Sequence, residues 1–347
     1  MSILDKIKKN SSIKDSAILS RSKFFTDKDM IPTAIPAINV ALSGKLDGGL
    51  TPGLTMWAGP SKHFKTAFSL LMAKSYLEKY EDAALLFYDS EFGTPQSYFD
   101  SFNIDTDRVL HTPITDIEQL KFDIMNQLQN IERGDHLIII VDSIGNLASK
   151  KEVEDALNEK SVADMSRAKQ IKSLFRMITP HLTLKDIPMI VVNHTYKEIG
   201  MFPKDIVGGG TGSYYSADNI FIIGRQQEKE GQEVIGYNFI INVEKSRYVK
   251  EKSKIPVTVS YSGGISRWSG LLEIALESGH VVKPTNGWYS KVDENGEIED
   301  KKYRIKDTDN KEFWMPILKM KTFRDFVEQK YRVAATEILS DDGVDYE

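Results

Sequence analysis

The sequence predicts an α/β protein: a mostly parallel sheet covered by helices, with an antiparallel extension. Three observations carry this. Short apolar runs, LTMWA, LLFYD, LIIIVD and MIVVN, alternate with amphipathic stretches from Leu54 onward, the pattern of strands joined through helices. These runs are apolar at every position rather than at alternate ones, as strands covered on both faces must be. After Asn219 the pattern changes to closely spaced strands, NIFIIGR, GYNFIINVEK and IPVTVSY, with glycines between them, which extend the same sheet in antiparallel fashion.

In chain order, residues 1–30 form an arm with one short amphipathic pattern, Ile3, Ile7 and Ile13. It is too small to fold alone, and it docks either on its own core or on a neighbouring subunit. Residues 31–275 form the core, with a turn at Gly263 and Gly264. Residues 276–347 form a C-terminal unit. There WYSKVDENGEIEDKKYRIKD carries a turn and charged strands, a helical stretch begins at Lys321, and the tail SDDGVDYE is acidic.

Composition narrows the chemistry. At 347 residues, 41% hydrophobic and 27% charged, the chain has room for one large core plus smaller attachments. It has no cysteine, so disulfides, thiolate zinc sites and cysteine nucleophiles are excluded. The apolar runs are far too short to span a bilayer and MSILDKIKKN lacks the apolar stretch of a signal peptide; the expectation is a soluble cytoplasmic protein without a membrane partner. The net charge of -5 gives no global attraction to nucleic acid, so DNA binding has to rest on local clusters such as KSRYVKEKSK at 245–254. That cluster reads equally as a solvated surface.

Gly59 to Thr66 reads GPSKHFKT, between LTMWA and the helical AFSLLMAKSYLEKY. This sets a loop at a helix N-terminus, where unpaired amides and the helix dipole favour phosphate. The pattern G-x-x-x-x-G-K-[ST] is met except at Phe64, where a bulky ring replaces the second glycine. Gly59, Pro60, Ser61, Lys62, His63, Phe64, Lys65 and Thr66 are thus the candidate phosphate cradle. Lys65 would bridge the β- and γ-phosphates of a nucleoside triphosphate, and Thr66 would ligate Mg²⁺. Asp142, at the end of LIIIVDS, is placed to orient the metal shell. LLFYDSE ends in Asp89 and Glu91, and its C-terminal edge is expected beside that of LTMWA. Glu91 is the candidate base for activating water, and Asp89 or Ser90 the cap of the next helix.

The phosphate loop, the DSE strand end and the VDS strand resemble the RecA family in order and spacing, and the wording resembles its phage branch. SKFFTDKD, GPSKHFKT, LFYDSEFGT, VDSIGNLASKKEVEDALNEK, VVNHTY, VGGGTG, FIIGR and VEKSRYVKEKSK carry the resemblance from about Arg21 to Trp314. It implies a RecA-type ATPase core with ATP between subunits, and Lys245 and Arg247 of VEKSR reaching the neighbour's γ-phosphate, a contact completed only on assembly. It sets Tyr98 near the adenine, although Tyr98 reads equally as helix packing. His194 stands where the family carries a γ-phosphate-sensing glutamine, and its role is left open. DNA would be held by two loops. The first spans about 148–164, with Arg167 and Lys169 on the helix after it. The second spans about 197–212, with Met201, Phe202, Gly208, Gly209, Gly210, Thr211 and Gly212, the glycines permitting close approach to a strand.

The resemblance thus implies an ATP- and Mg²⁺-dependent recombinase. Such a protein forms filaments on single-stranded DNA, pairs it with a duplex in recombination and repair, and meets mediator and single-strand-binding proteins in the cytoplasm of a host cell. The alternatives are a ring helicase or motor on the same fold, and a nucleotide-binding assembly module without turnover.

Overall fold

The runs that are apolar at every position become the buried middle of one large sheet. The computed structural model describes residues 2–13, 16–22, 28–158, 166–198 and 204–333, the side chain of Thr211 excepted. Helices α1 (Ile3–Asn10) and α2 (Pro36–Ser43) precede β1 (Gly53–Ala58). Then come α3 (Lys65–Lys79), β2 (Ala84–Asp89), α4 (Gln96–Ser101), β3 (Val109–Pro113), α5 (Ile117–Asn130) and β4 (Leu137–Asp142). Helices α6 (Lys150–Leu157) and α7 (Ser166–Lys185) lead to β5 (Pro188–Asn193). A small hairpin, β6 (Thr195–Lys197) with β7 (Asp205–Val207), and α8 (Thr211–Ser216) follow. The core ends in β8 (Asn219–Glu230), β9 (Glu233–Ser246), β10 (Lys254–Ser260) and β11 (Gly264–Ile265). Beyond it lie α9 (Leu271–Glu277), β12 (Val281–Thr285), β13 (Trp288–Lys291), α10 (Lys311–Lys319) and α11 (Lys321–Tyr331).

Nine strands of the described residues share one sheet, in the order β11-β10-β9-β8-β1-β5-β4-β2-β3. From β8 to β3 all neighbours are parallel, and β8 to β11 pair antiparallel with one another. Every residue of β1, β4 and β5 is buried, because helices cover both faces. On one face Ile117, Leu120, Ile124 and Leu128 of α5 follow the three-to-four spacing of a helix stripe and meet Ile171, Leu174, Phe175 and Ile178 of α7. On the other, α2 and α3 bring Ile38, Leu42 and Phe68 against Trp57, and Phe313, Trp314, Ile317, Phe323 and Val327 of the C-terminal unit belong to the same apolar cluster.

Three features differ from the expectations. The strand β2 lies beside β4 and β3, not beside β1, which pairs with β5 and β8; strand order is set by long-range packing that no local pattern encodes. The edge strand β3 was not anticipated, because its residues are only half-buried or exposed and lack the apolar run of a central strand. The helix expected from Lys321 is α11, and it is preceded by a further helix that was not anticipated, α10, with Pro316 inside it. The arm helix α1 is fixed locally by a capping box between Ser2 and Asp5. It buries none of its residues, leaving Ile3 and Ile7 72% and 61% exposed. No helix among the described residues is long and apolar enough to cross a membrane.

Candidate nucleotide-binding site

The loop after β1 closes on itself. Lys65 is buried, and its ammonium donates to the carbonyls of Gly59 at 3.0 Å and Pro60 at 2.7 Å. Burial lowers its pKa, and Glu91 and Asp142 pull the other way. Phe64 takes the left-handed conformation that the missing glycine would supply, with φ 60 and ψ 15, at a cost of about 1–2 kcal/mol. Its ring stacks on Phe239 with centroids 5.0 Å apart and meets Phe68 edge-on at 6.0 Å. Such pairs contribute about 0.5–1.5 kcal/mol each, enough to offset the strain. Gly59, Pro60, Ser61 and Lys62 line the outer turn, and His63 leans its Nδ1 on the Ser61 carbonyl, 2.9 Å away.

Facing the loop are the ends of three parallel strands. Thr66 donates its hydroxyl to Asp142 Oδ2 at 2.6 Å. Asp142 Oδ1 is buried without a hydrogen-bond partner among the described residues. Burial raises the Asp142 carboxyl to about 6, against the Thr66 hydrogen bond. A buried, half-satisfied carboxylate beside a hydroxyl fits a hard cation. No cluster of three or more His, Asp or Glu side chains forms a metal cage among the described residues; Mg²⁺ suits such a sparse set, since it keeps waters and substrate phosphates as ligands.

Although β2 lies two strands farther away than expected, Glu91 still reaches this cluster. Its Oε1 accepts from the Ser143 hydroxyl at 2.6 Å and from His194 Nε2 at 3.0 Å. Hydrogen bonding by His194 lowers the Glu91 pKa, and burial opposes it. Asp89 caps the turn, its Oδ1 accepting the amides of Glu91 and Phe92. A cavity of about 660 Å³ spans the loop, Glu91, Tyr98, Asp142 and His194. It continues to Arg225, Tyr237 and Tyr261, where the Arg225 guanidinium lies 4.7 Å from the Tyr237 ring. Ser143, Arg225, Tyr237 and Tyr261 were not anticipated. Ser143 adjoins Asp142 in VDS and Arg225 ends FIIGR, whereas Tyr237 on β9 and Tyr261 just past β10 carry no such motif.

Lys245 and Arg247 lie elsewhere. Lys245 donates to the carbonyls of Tyr214, Tyr215 and Ala217 at the end of α8. Arg247 pairs with Asp218, whose Oδ2 accepts the amide of Leu54. That is the opposite end of β1 from Gly59, roughly 16 Å along five residues of strand.

Arg167 is also not the free cation expected. Its guanidinium turns inward to the carbonyls of Ile144, Gly145 and Leu147, holding the root of the first loop, while Lys169 is exposed. The glycine run packs on α7: a Cβ on Gly212 would meet Lys172 at 2.6 Å, and one on Gly209 would meet Ile171 at 3.1 Å. Gly208 and Gly210 flank that contact, Gly208 against the His194 carbonyl. Close approach at Gly209 and Gly212 therefore serves a helix of the same chain. Met201 and Phe202 lie outside the described residues, as does the Thr211 side chain.

A parallel sheet with a lysine-bearing loop at a helix N-terminus, a buried aspartate beside the loop's threonine and a carboxylate across the cavity defines a P-loop protein of RecA type. The family model described as the RecA N-terminal domain matches residues 2–266. A second, described as the C-terminal domain of the bacteriophage T4 recombination and repair protein, matches residues 268–327. The chain is 52% identical over 334 residues to the recombination and repair protein of Enterobacteria phage T4, covering 95% of this chain and 85% of that one. It is 26% identical to Protein RecA of Acidothermus cellulolyticus, over 76% of this chain and 74% of the relative. Protein RecA of an Arthrobacter species is 28% identical, over 76% and 73%. The chain belongs to the RecA family.

Proposed function

We propose that this chain is an ATP-dependent recombinase of DNA recombination and repair, which assembles on single-stranded DNA and pairs it with a duplex. The observation that supports it most is the joining of two kinds of site. Glu91 and Asp142 face the phosphate loop, and the same cluster carries the roots of both long loops, Gly145 after β4 and His194 after β5. In this reading Lys65 and the loop amides bind the phosphates, and Thr66 and Asp142 hold Mg²⁺, which supplies charge neutralisation when bound. Glu91 accepts the proton of the attacking water, and Tyr98 with Tyr261 flanks the base. Lys169 and the loops contact DNA through its backbone, leaving recognition to base pairing.

Assembly suits the uncovered surfaces. Among the described residues the apolar residues of α1 find no cover and β3 is an open edge, and Leu110 on β3 and Phe122 on α5 are 58% and 73% exposed. An arm reaching a neighbour would bury such residues, and it would bring Lys245 and Arg247 to the neighbour's phosphates. Mediator and single-strand-binding proteins are expected further partners, in the cytoplasm of the host cell. Two assays on the same preparation test the reading. A recombinase hydrolyses ATP faster with single-stranded DNA and forms joint molecules from homologous substrates. DNA-dependent turnover without joint molecules indicates a motor, and nucleotide binding without turnover an assembly module.

A further inference from the structure

The phosphate loop keeps its shape without a second glycine, and its carbonyls show what holds it. Lys65 takes those of Gly59 and Pro60. The Ser61 carbonyl can only accept, so His63 Nδ1 carries the proton of their 2.9 Å contact. The next carbonyl, that of Lys62, accepts from Arg225 Nη1 at 3.2 Å, and Arg225 comes from β8, 163 positions along the chain. In a planar trans peptide the carbonyl and the N–H that follows it point in opposite directions. A donor on the Lys62 carbonyl therefore turns the His63 amide away from Arg225. Among the described residues no acceptor stands in hydrogen-bonding geometry to the amides of Ser61, Lys62, His63 and Phe64; successive amides of this kind cradle the α- and β-phosphates of a nucleotide. Lys62 and Phe64 both have φ 60, a left-handed backbone that costs any residue but glycine, so the turn between them needs an outside hold. Phe64 has its stack on Phe239. Next to Phe239 lies Tyr237, with ring centroids 6.0 Å apart, and the Arg225 guanidinium lies 4.7 Å from the Tyr237 ring. One aromatic column thus supports both strained residues. Among the described residues Arg225 forms no ion pair, so no carboxylate draws its charge away from the loop.

We propose that Arg225 is a positioning residue for the nucleotide: resting on Tyr237, it fixes the Lys62–His63 peptide so that the His63 amide meets the β-phosphate of a nucleoside di- or triphosphate. The guanidinium acts from outside the loop and touches no phosphate itself. It supplies from β8 part of the rigidity that a loop with bulky left-handed residues lacks. This rests on the ATPase reading above.

The test compares the full chain with Arg225→Ala and Arg225→Lys. Binding of ADP and of ATP, each with Mg²⁺, is measured by titration calorimetry, and ATP turnover is followed over a range of ATP concentrations with saturating single-stranded DNA. Arg225 is exposed, so the alanine variant is expected to fold. It should bind both nucleotides about tenfold more weakly, the change for one lost hydrogen bond from a charged donor, and by equal factors, since both carry the β-phosphate. KM should rise while kcat stays within about twofold, the mark of binding lost equally from ground and transition states. Arg225→Lys keeps a cationic donor for the Lys62 carbonyl and should recover most of the affinity. Unchanged ADP affinity in Arg225→Ala, a lysine variant no better than alanine, or an effect on kcat in place of KM overturns the proposal. So does a loss for ATP several-fold beyond that for ADP, because it sets the guanidinium on the γ-phosphate. In each case a wild type that binds and hydrolyses ATP leaves the ATPase reading standing. A wild type that binds neither nucleotide overturns both.

Discussion

At both ends of the central strands a lysine rests on backbone carbonyls near a buried aspartate, yet the two ends differ in what they leave undone. At the phosphate end Lys65 holds Gly59 and Pro60, and Asp142 keeps one oxygen without a partner among the described residues. At the far end Lys245 holds the last carbonyls of α8, and both oxygens of Asp218 are engaged, by Leu54 and Arg247. Unsatisfied buried groups are rare and costly, so the first end suits an added cation where the second does not. The second end is complete in the single chain, and Lys245 and Arg247 act elsewhere only by exchanging their present partners for a neighbour's.

The largest expected effect tests the first end. Lys65→Ala should lower ATP turnover by on the order of a hundredfold or more, because among the described residues no other buried cation lines this cavity, with the fold retained. Turnover near wild type would show that the loop is not the phosphate site. The second end is tested by mixing. Lys65→Ala chains and Arg247→Ala chains, each impaired alone, should recover activity together, up to about a quarter of wild type if interfaces form at random. Absence of recovery in demonstrably mixed filaments would confine Arg247 to its contact with Asp218.

A stability measurement separates the two aspartates. The Asp142 carboxyl, ordinarily near 3.8, is raised to about 6 by burial. Between those values the folded chain keeps a proton that the unfolded chain has lost. The contribution is therefore fully present below about pH 4 and is lost as pH rises through 6. Asp142→Asn should stabilise the metal-free chain by on the order of 2 kcal/mol at pH 8, the gain vanishing near pH 4, while abolishing Mg²⁺-dependent nucleotide binding. Asp218→Asn should instead cost up to about 1 kcal/mol, since its partner Arg247 is largely exposed. Urea midpoints measured across pH would decide, and equal signs for the two variants would erase the contrast.

How much of this was legible in the sequence depended on distance along the chain. The phosphate loop, the Asp142 strand and the antiparallel extension declare themselves within windows of ten residues, so local pattern found them. The position of β2 did not, because a strand's neighbours are chosen by packing across the whole sheet. Arg167 looked like a phosphate contact because a sequence shows a charge but not its direction; the carbonyls of Ile144, Gly145 and Leu147 had already claimed it. The glycine run was read for DNA because nothing local says that α7 lies against it. Tyr237 on β9 and Tyr261 in the turn after β10 reach the cavity from more than 160 residues beyond the loop, with no motif to mark them.

The smallest effect concerns Phe64, the one departure from the general phosphate-loop pattern. If the left-handed backbone and the aromatic contacts offset each other, Phe64→Gly removes a cost of about 1–2 kcal/mol and loses two ring pairs of about 0.5–1.5 kcal/mol each. Stability should then change by less than about 1 kcal/mol. Phe64→Ala keeps the strained backbone while losing the rings, so it should be destabilised by a further 1–2 kcal/mol or so relative to glycine. Nucleotide affinity should stay within a few-fold in both, because Lys65, Thr66 and the loop amides remain. Thermal or urea unfolding of the three chains reads the difference directly. If alanine and glycine prove equally stable, the left-handed conformation costs nothing here, and the ring was retained for its contacts with Phe239 and Phe68 alone. If glycine is the more stable, the aromatic contacts are what allow a phosphate loop to dispense with its second glycine.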